Sequence, residues 1–397
     1  MSTDLSVPPS RGVALLFALA CGLCVANVYY AQPLLDAIGR EFSVSDARLG
    51  QVMTATQVGC ALALVFLVPL GDRVERRRLM VIQSLLLSGL LACVAMVHEW
   101  YLLLAGMAGI GMLATAMTQG LIAYAASVSP PGSRGRVVGI AQGGVLMGLL
   151  LARVFSGAMG DIAGWRGTFL VSAAFSLLLI LPLRLKLPRS AVPERPMGYL
   201  ALLASMPGLL REERVLQVRG VLALLMFAVF NIFWNAMVLP LSAPPRAFSH
   251  TVIGAFGLVG ALGALAAIRA GHWADQGYGA RTSAAGLLLL LGAWVPLSLM
   301  EHSMAALMLG IVLLDMGGQA IHVTNQGMVF ASRPEAHARM VGLYMLFYAV
   351  GSGTGAAAGT AMYAYAGWQG VCWLGAAISL LALIFWWVTR GVTGRHR

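Results

Sequence analysis

Four polar residues interrupt the apolar stretch 303–331: Asp315, Gln319, His322 and Gln326. Their offsets from Asp315 are 4, 7 and 11, which fall within about 40° of one helix face at 100° per residue. Asp315 is the only one of 15 acidic residues, and His322 the only one of 7 histidines, deep inside such a stretch. A charge at mid-membrane costs about 2.5–3.5 kcal/mol on insertion scales, so a polar stripe of this kind should face a wet cavity or a bundle interior. Burial favours the neutral form of both groups. The chemistry this suggests is reversible protonation at Asp315, with His322 assisting, coupled to release of a solute. The competing reading is a structural pair hydrogen-bonded between helices. Arg153 is the matching oddity inside the stretch 136–160. Either it pairs with Asp315, or it binds an anionic solute group, or it bonds backbone carbonyls or snorkels outward.

The elements that must position these residues follow from composition. Hydrophobic residues make up 59% of the 397-residue chain and charged residues 10%, against about 25% charged in a soluble domain. A water-surrounded core cannot absorb that apolar surface, which sets aside a soluble enzyme, a disordered chain and a disulfide scaffold. The five cysteines are odd in number and lie in apolar runs, so disulfides are not expected. Crossing hydrocarbon takes roughly 20 apolar residues. Spans 1–6 are placed at 12–36, 49–71, 79–97, 100–128, 136–160 and 167–186. Spans 7–12 are placed at 217–241, 251–273, 282–300, 303–331, 338–364 and 367–389. The runs are continuous, with no period-two alternation, so helices are expected and not barrel strands.

The net charge is +11, and every basic residue but Lys186 is arginine. With the N-terminus in the cytoplasm, the outer loops receive only Arg40, Arg48, Arg166 and Arg246. Arg153 lies within a span and Arg269 near a cytoplasmic span end; every other basic residue falls on the cytoplasmic side. Topology explains the charge, so nucleic acid is not an expected partner. The connection 187–216 begins rich in Pro and Arg, then places Leu200, Leu203, Met206 and Leu210 at helical spacing. It reads as an amphipathic helix on the inner leaflet, with Arg211 and Arg214 near phosphates.

The two halves repeat. Arg136-Val-Val-Gly139 recurs as Arg339-Met-Val-Gly342, and Ala163-Gly-Trp-Arg-Gly167 as Ala366-Gly-Trp-Gln-Gly370. Asp72 matches Asp275, and each of these pairs is 203 positions apart. Asn27-Val-Tyr-Tyr30 resembles Asn231-Ile-Phe-Trp234 at a shift of 204. A duplicated six-helix unit is the simplest account.

With these features the chain resembles the major facilitator superfamily over nearly its whole length. The loop Gly71-Asp72-Arg73-Val74-Glu75-Arg76-Arg77 is similar to the family signature between helices 2 and 3, with Val68 and Glu75 standing where glycines are usual. The resemblance implies that Asp72, Arg73, Arg76, Arg77 and Asp275 form a conformational switch at the inner face. The competing reading is that the arginines only fix topology. Span 5 carries Gly139, Gly148 and Gly157 at positions that match a drug-antiporter pattern, but Ala152-Arg153 replaces its Gly-Pro, and span 4 has Ala105 where many such antiporters carry Arg. Asn27-Val-Tyr-Tyr-Ala-Gln-Pro33 looks like a subgroup of bacterial efflux-type members. In the family, spans 1, 4, 7 and 10 surround the central path. That makes Asn27, Tyr30, Gln119, Asn231, Asn235 and Gln319 cavity candidates beside Arg153, each alternatively helix glue. Tyr344 and Tyr348 are placed to stack a solute or simply to pack.

The expected architecture is an all-α membrane protein of twelve transmembrane helices in two pseudo-symmetric six-helix bundles, 1–186 and 217–397, joined by 187–216. The expected function is proton-coupled export of a small organic molecule or drug by alternating access. Uptake of a small organic anion through Arg153 is the alternative, and a non-transporting sensor a distant one. The partners are a small-molecule substrate, protons and the lipid bilayer of a bacterial inner membrane, with both termini cytoplasmic and a monomeric chain. No cofactor, metal or enzymatic activity is expected: Gly351-Ser-Gly-Thr-Gly355 lies mid-span without the strand or Lys a nucleotide loop needs.

Overall fold

The computed structural model describes residues 10–188, 199–261, 263, 269–270, 272–273, 276, 278–333 and 337–393, and among them no strand occurs. Among the described residues eight helices are long and apolar enough to cross a membrane. Two of them, Gly132–Lys186 and Arg339–Gly391, run to 55 and 53 residues. At 1.5 Å per residue such a run is about 80 Å long, against hydrocarbon about 30 Å thick, so each must fold back. The break is one left-handed glycine in each: Gly164 at φ 68° and Gly367 at φ 62°. Only glycine enters that region without a Cβ penalty. Both sit in the repeated Ala-Gly-Trp sequence. With each long run counted as two crossings, and with the shorter apolar helices Arg11–Ala26 and His250–Val259 added, the elements supply all twelve spans.

The duplication is also visible in contacts. Arg166 donates from Nη1 to Ala95 O (2.6 Å) and from Nη2 to Val97 O (2.7 Å), closing the end of span 3. Gln369, its repeat equivalent, donates to Ser298 O at 2.9 Å, closing the end of span 9. Donor and acceptor positions are both shifted by 203. A helix leaves its last carbonyls without partners, and a side-chain donor at the end of the span answers them. Span 1 meets span 5 through Gly144 and Gly148, whose missing Cβ atoms would lie 2.1 Å from Ala18 O and 2.3 Å from Gly22 O. Span 7 meets span 11 in the same way, with Gly351 and Gly355 against Leu224 O and Ala228 O. The Gly-Ser-Gly-Thr-Gly run is therefore a helix-packing face.

Span 1 departs from the continuous helix expected over 12–36. The helix Arg11–Ala26 starts at Ser10, whose Oγ accepts from Val13 N. Beyond Ala26 the bonds tighten: Asn27 N, Val28 N and Tyr29 N each reach the carbonyl three residues back, at 3.2, 3.1 and 3.0 Å. A 3-10 turn, Gln32–Leu34, contains Pro33, which has no N–H to continue a helix. The helix Leu35–Phe42 follows. Within 187–216 the described residues include the helix Tyr199–Glu212.

The chain forms two units, Met1–Leu34 with Ala55–Leu203, and Leu35–Thr54 with Ala204–Arg397. In the first, buried Phe17, Tyr124 and Phe169 lie at the core, with Phe17 edge-on to Tyr124. In the second, Phe233, Leu287, Leu314 and Tyr344 are fully buried. Residues 35–54 are fastened there by specific bonds. Gly50 N donates to Thr360 Oγ1 (3.0 Å) and Thr54 Oγ1 to Gly353 O (2.7 Å). The buried Asp36 carboxylate lies 3.0 Å from His250 Nε2 and 2.8 Å from Arg40 Nη1.

Two outcomes follow. Gly148→Ala and Gly355→Ala force backbones apart and should each lower thermal stability in detergent by about 1–3 kcal/mol, whereas Gly139→Ala, with nothing within 4 Å, should be neutral. Arg40 is largely exposed and contributes little to the Asp36 pair. His250 Nε2 is the partner of the buried Asp36 carboxylate. His250→Ala removes that partner and should lower the melting temperature by about 1–3 °C. An unchanged melting temperature would contradict a stabilising role for the contact.

Candidate functional site

In the first unit the chemistry gathers where span 1 loses its helix. Arg153 is 7% exposed, and its Nε donates to Gln32 Oε1 at 2.8 Å. Its guanidinium carbon lies 5.8 Å from the centre of the Tyr29 ring. The broken backbone of residues 27–34 makes this approach possible, since it turns Tyr29 and Gln32 out of helical register beside span 5. Non-helical backbone at membrane depth is tolerated only where protein or a cavity surrounds it. Tyr30 is buried with its ring 5.3 Å from Phe155. Asn27 donates to Leu23 O (2.7 Å) and accepts from Ser172 Oγ (2.7 Å), which ties span 1 to span 6. Gln119 is half-buried on span 4.

In the second unit the polar stripe on Met304–Ser332 divides. Asp315 is 4% exposed and lies against span 8. A Cβ at Gly260 would come within 2.1 Å of its Oδ2, and one at Gly263 within 2.6 Å of its own Cβ. Two glycines of span 8 thus make the space that the carboxylate occupies. His322, two turns on, turns to other neighbours: Nδ1 is 3.0 Å from the Tyr344 hydroxyl, and Phe227 stands edge-on at 5.1 Å. No hydrogen bond joins Asp315 to His322. Gln319 and Gln326 are half-buried between and beyond them. Tyr344 is fully buried with its hydroxyl at His322, and Tyr348 stands edge-on to Phe227 at 4.3 Å. Asn231 and Asn235 bond back along their own helix, to Phe227 O (3.0 Å) and Asn231 O (2.8 Å). Asn27 and Asn231, repeat equivalents, make the same bond to the carbonyl four residues back.

Two buried participants escaped the sequence reading. Gln32 sat inside the quoted Asn27–Pro33 run but only its neighbours were singled out. Arg219 reads in the sequence as one more basic residue at a span entrance. It is 1% exposed, with Nη1 donating to Ser283 Oγ (2.8 Å) and Asn325 Oδ1 (3.2 Å). Its place, five residues into the helix Arg214–Ala236, was the available signal.

At the 2–3 loop, Glu75 has a local task that explains its presence in place of glycine. Its carboxylate caps the helix Arg76–Ala95, accepting from Arg77 N (3.1 Å) and Arg78 N (2.8 Å). Arg76 Nε reaches Gly71 O (3.2 Å). Arg77 Nη1 bonds Arg184 O (3.3 Å) and Leu187 O (3.4 Å), a cation on the negative end of span 6. Arg73 is exposed. The Asp72 side chain and Asp275 lie outside the described residues. Among the described residues no group of three His, Cys, Asp or Glu is placed to hold a metal ion.

Comparison with known proteins agrees with this architecture. The Major Facilitator Superfamily model matches residues 16–268 and again 220–397. A putative uncharacterized transporter of Escherichia coli K12, YgaY, is 40% identical over 378 residues, 95% of both chains. A probable transporter of Streptomyces coelicolor is 30% identical over 390 residues, 97% of this chain and 89% of the relative. The crystal structure of a bacterial homologue of the lysosomal transporter Spinster, inward-facing and unoccupied, superposes with a TM-score of 0.79 at 16% identity, covering 96% of this chain and 97% of that one. These relatives are transporters and not enzymes. The chain belongs to the major facilitator superfamily, with its twelve-helix fold, and is a membrane transporter of small molecules.

Proposed function

We propose that this transporter exports a small organic molecule in exchange for protons, by alternating access. Asp315 carries the proton. The observation that carries this reading is the carboxylate itself, 4% exposed within an apolar helix and lodged against Gly260 and Gly263. An ionisable group so placed is expensive in lipid and defaults to a functional role. His322, bonded to Tyr344, assists on the same helix. Arg153 contacts the solute, with Asn27, Tyr30, Gln119, Asn231, Asn235 and Gln319 along the path. Asp72, Arg73, Arg76, Arg77 and Asp275 hold one transport state, and the bonds from Arg77 to the end of span 6 fix that arginine at the loop within the first bundle. The moving bodies are the bundles 1–186 and 217–397, joined by 187–216. The chain works as a monomer in the lipid of a bacterial inner membrane, with both termini in the cytoplasm. An efflux direction has support in a relative described as a probable sugar efflux transporter of Helicobacter acinonychis, 24% identical over 378 residues.

A second reading, uptake of a small organic anion, is favoured by the buried Arg153 guanidinium and its neutral partner Gln32. The two directions separate in energised cells loaded with cationic, neutral or anionic solutes, with and without an uncoupler. Export that the uncoupler abolishes supports antiport. Faster inward accumulation of an anion, without export, supports uptake. Asp315→Asn keeps the side-chain shape and removes the proton, so it should cut uncoupler-sensitive export at least tenfold at unchanged expression. Full export by this variant would remove Asp315 from the coupling role.

A further inference from the structure

We propose that His322 serves the solute as a fixed hydrogen-bond donor, through Nε2–H, and that it takes an uncharged acceptor such as a carbonyl oxygen on a flat solute. The proposal rests on the transport reading only in that a solute reaches the second unit. It leaves the proton to Asp315 and gives His322 a separate task.

The deciding atom is one hydroxyl hydrogen. Tyr344 is fully buried, so its O–H must find an acceptor within the chain. Two side chains stand at that hydroxyl: His322, with Nδ1 at 3.0 Å, and Asn325. Arg219 Nη1 is a donor and nothing else, so the Asn325 atom facing it at 3.2 Å is the oxygen. The Asn325 atom turned toward Tyr344 is then Nδ2, which donates and accepts nothing. Of the two neighbours only His322 Nδ1 can take the hydroxyl hydrogen. Nδ1 is therefore the bare nitrogen of a neutral ring, and the ring's own hydrogen is on Nε2. The order Arg219, Asn325, Tyr344, His322 runs one way, each group turning a donor to the next. A proton added at Nδ1 would set two donors face to face and leave the Tyr344 hydrogen with no acceptor.

The opposite edge of the ring is open. Nε2 has no hydrogen-bond partner among the described residues, and the imidazole is half-buried, not sealed. A phenylalanine at 322 would fill the same ring-lined space without carrying a polar edge inside the membrane. An N–H held in one orientation at membrane depth, with its outer side open, is a place for an acceptor.

The surroundings select the rest of the solute. Phe227 of span 7 stands edge-on to His322 at 5.1 Å and to Tyr348 at 4.3 Å, and Phe227 and Tyr348 are themselves half-buried. Tyr344 lies nearly parallel to the imidazole, 28° between planes at 5.7 Å. Such rings suit a flat, largely apolar body with one or two polar atoms. A protonated amine brings donors to a donor. A carboxylate is bound best by a charged imidazolium, the form that the Tyr344 hydrogen opposes.

The test reads the imidazole directly. Full-length protein carrying isotope-labelled histidine is purified in detergent, with no gradient, and nitrogen NMR signals of His322 are identified by their loss in His322→Gln. The wild type should show the hydrogen on Nε2 and a bare, hydrogen-bonded Nδ1. Tyr344→Phe removes the O–H, so the hydrogen-bonded shift of Nδ1 should go and an Nδ1–H form should appear beside the other. Acetophenone, whose one polar atom is an acceptor, should shift the Nε2 signal of the wild type. α-Methylbenzylammonium, a similar skeleton bearing a cationic donor, should not, and a merely structural His322 would tell neither probe from the other. The proposal is overturned if the hydrogen sits on Nδ1, if Tyr344→Phe leaves both nitrogens unchanged, or if the two probes act alike, including the case in which neither shifts Nε2. Should Tyr344→Phe fail to fold, the wild-type tautomer and the two probes decide. No transport enters these readings. An Nε2–H donor that answers acetophenone, in a protein that moves no protons, would keep the proposal and sink antiport. Asp315-dependent proton antiport with the hydrogen of His322 on Nδ1 would do the reverse.

Discussion

Hydrocarbon offers no hydrogen bonds, and most of this molecule follows from that one constraint. Each polar group inside it must find its partner within the chain. The solutions are repeated wherever the sequence is repeated. Glycines on spans 5 and 11 let backbones approach until a missing Cβ would lie between 2.1 and 2.3 Å from a carbonyl oxygen. Arg166 and Gln369 close the carbonyl ends of spans 3 and 9. Asn27 and Asn231 bond back to their own helices. Two buried arginines follow the same rule with neutral partners, Arg153 with Gln32 and Arg219 with Ser283 and Asn325.

The fold was largely legible because membrane helices announce themselves by length and composition. The repeat at a shift of 203 could be read from Ala163-Gly-Trp and Ala366-Gly-Trp, and the structure gives those words a physical meaning as left-handed turns between crossings. The break in span 1 was not read. Its signals were a single proline and a Tyr-Tyr-Ala-Gln run, which hydropathy scores as ordinary span. Asp315 and His322 were found because ionisable groups stand out in lipid. That they face different neighbours, Gly260 and Gly263 for one and Tyr344 for the other, depends on where neighbouring helices lie, and helical spacing alone does not encode it. Gln32 and Arg219 were missed for opposite reasons. A glutamine carries no charge to draw attention, and an arginine near a span entrance is ordinarily topological.

A consistent division of labour emerges. In the first unit the interrupted helix brings an amide and a tyrosine ring to Arg153. In the second, glycines of span 8 admit the Asp315 carboxylate, and Gly50 and Thr54 anchor to span 11. A buried cation and a buried acid thus sit on separate helices of a duplicated frame. A transporter that couples two species needs this arrangement: one group for each, on elements that can move.

The most direct measurement is proton movement in proteoliposomes that trap a pH dye, when a gradient of an exported solute is imposed across the membrane. On this account the wild type drives protons against the solute flow and Asp315→Asn does not, with protein-free vesicles as the blank. Solute movement by the wild type with no accompanying proton flux would contradict it.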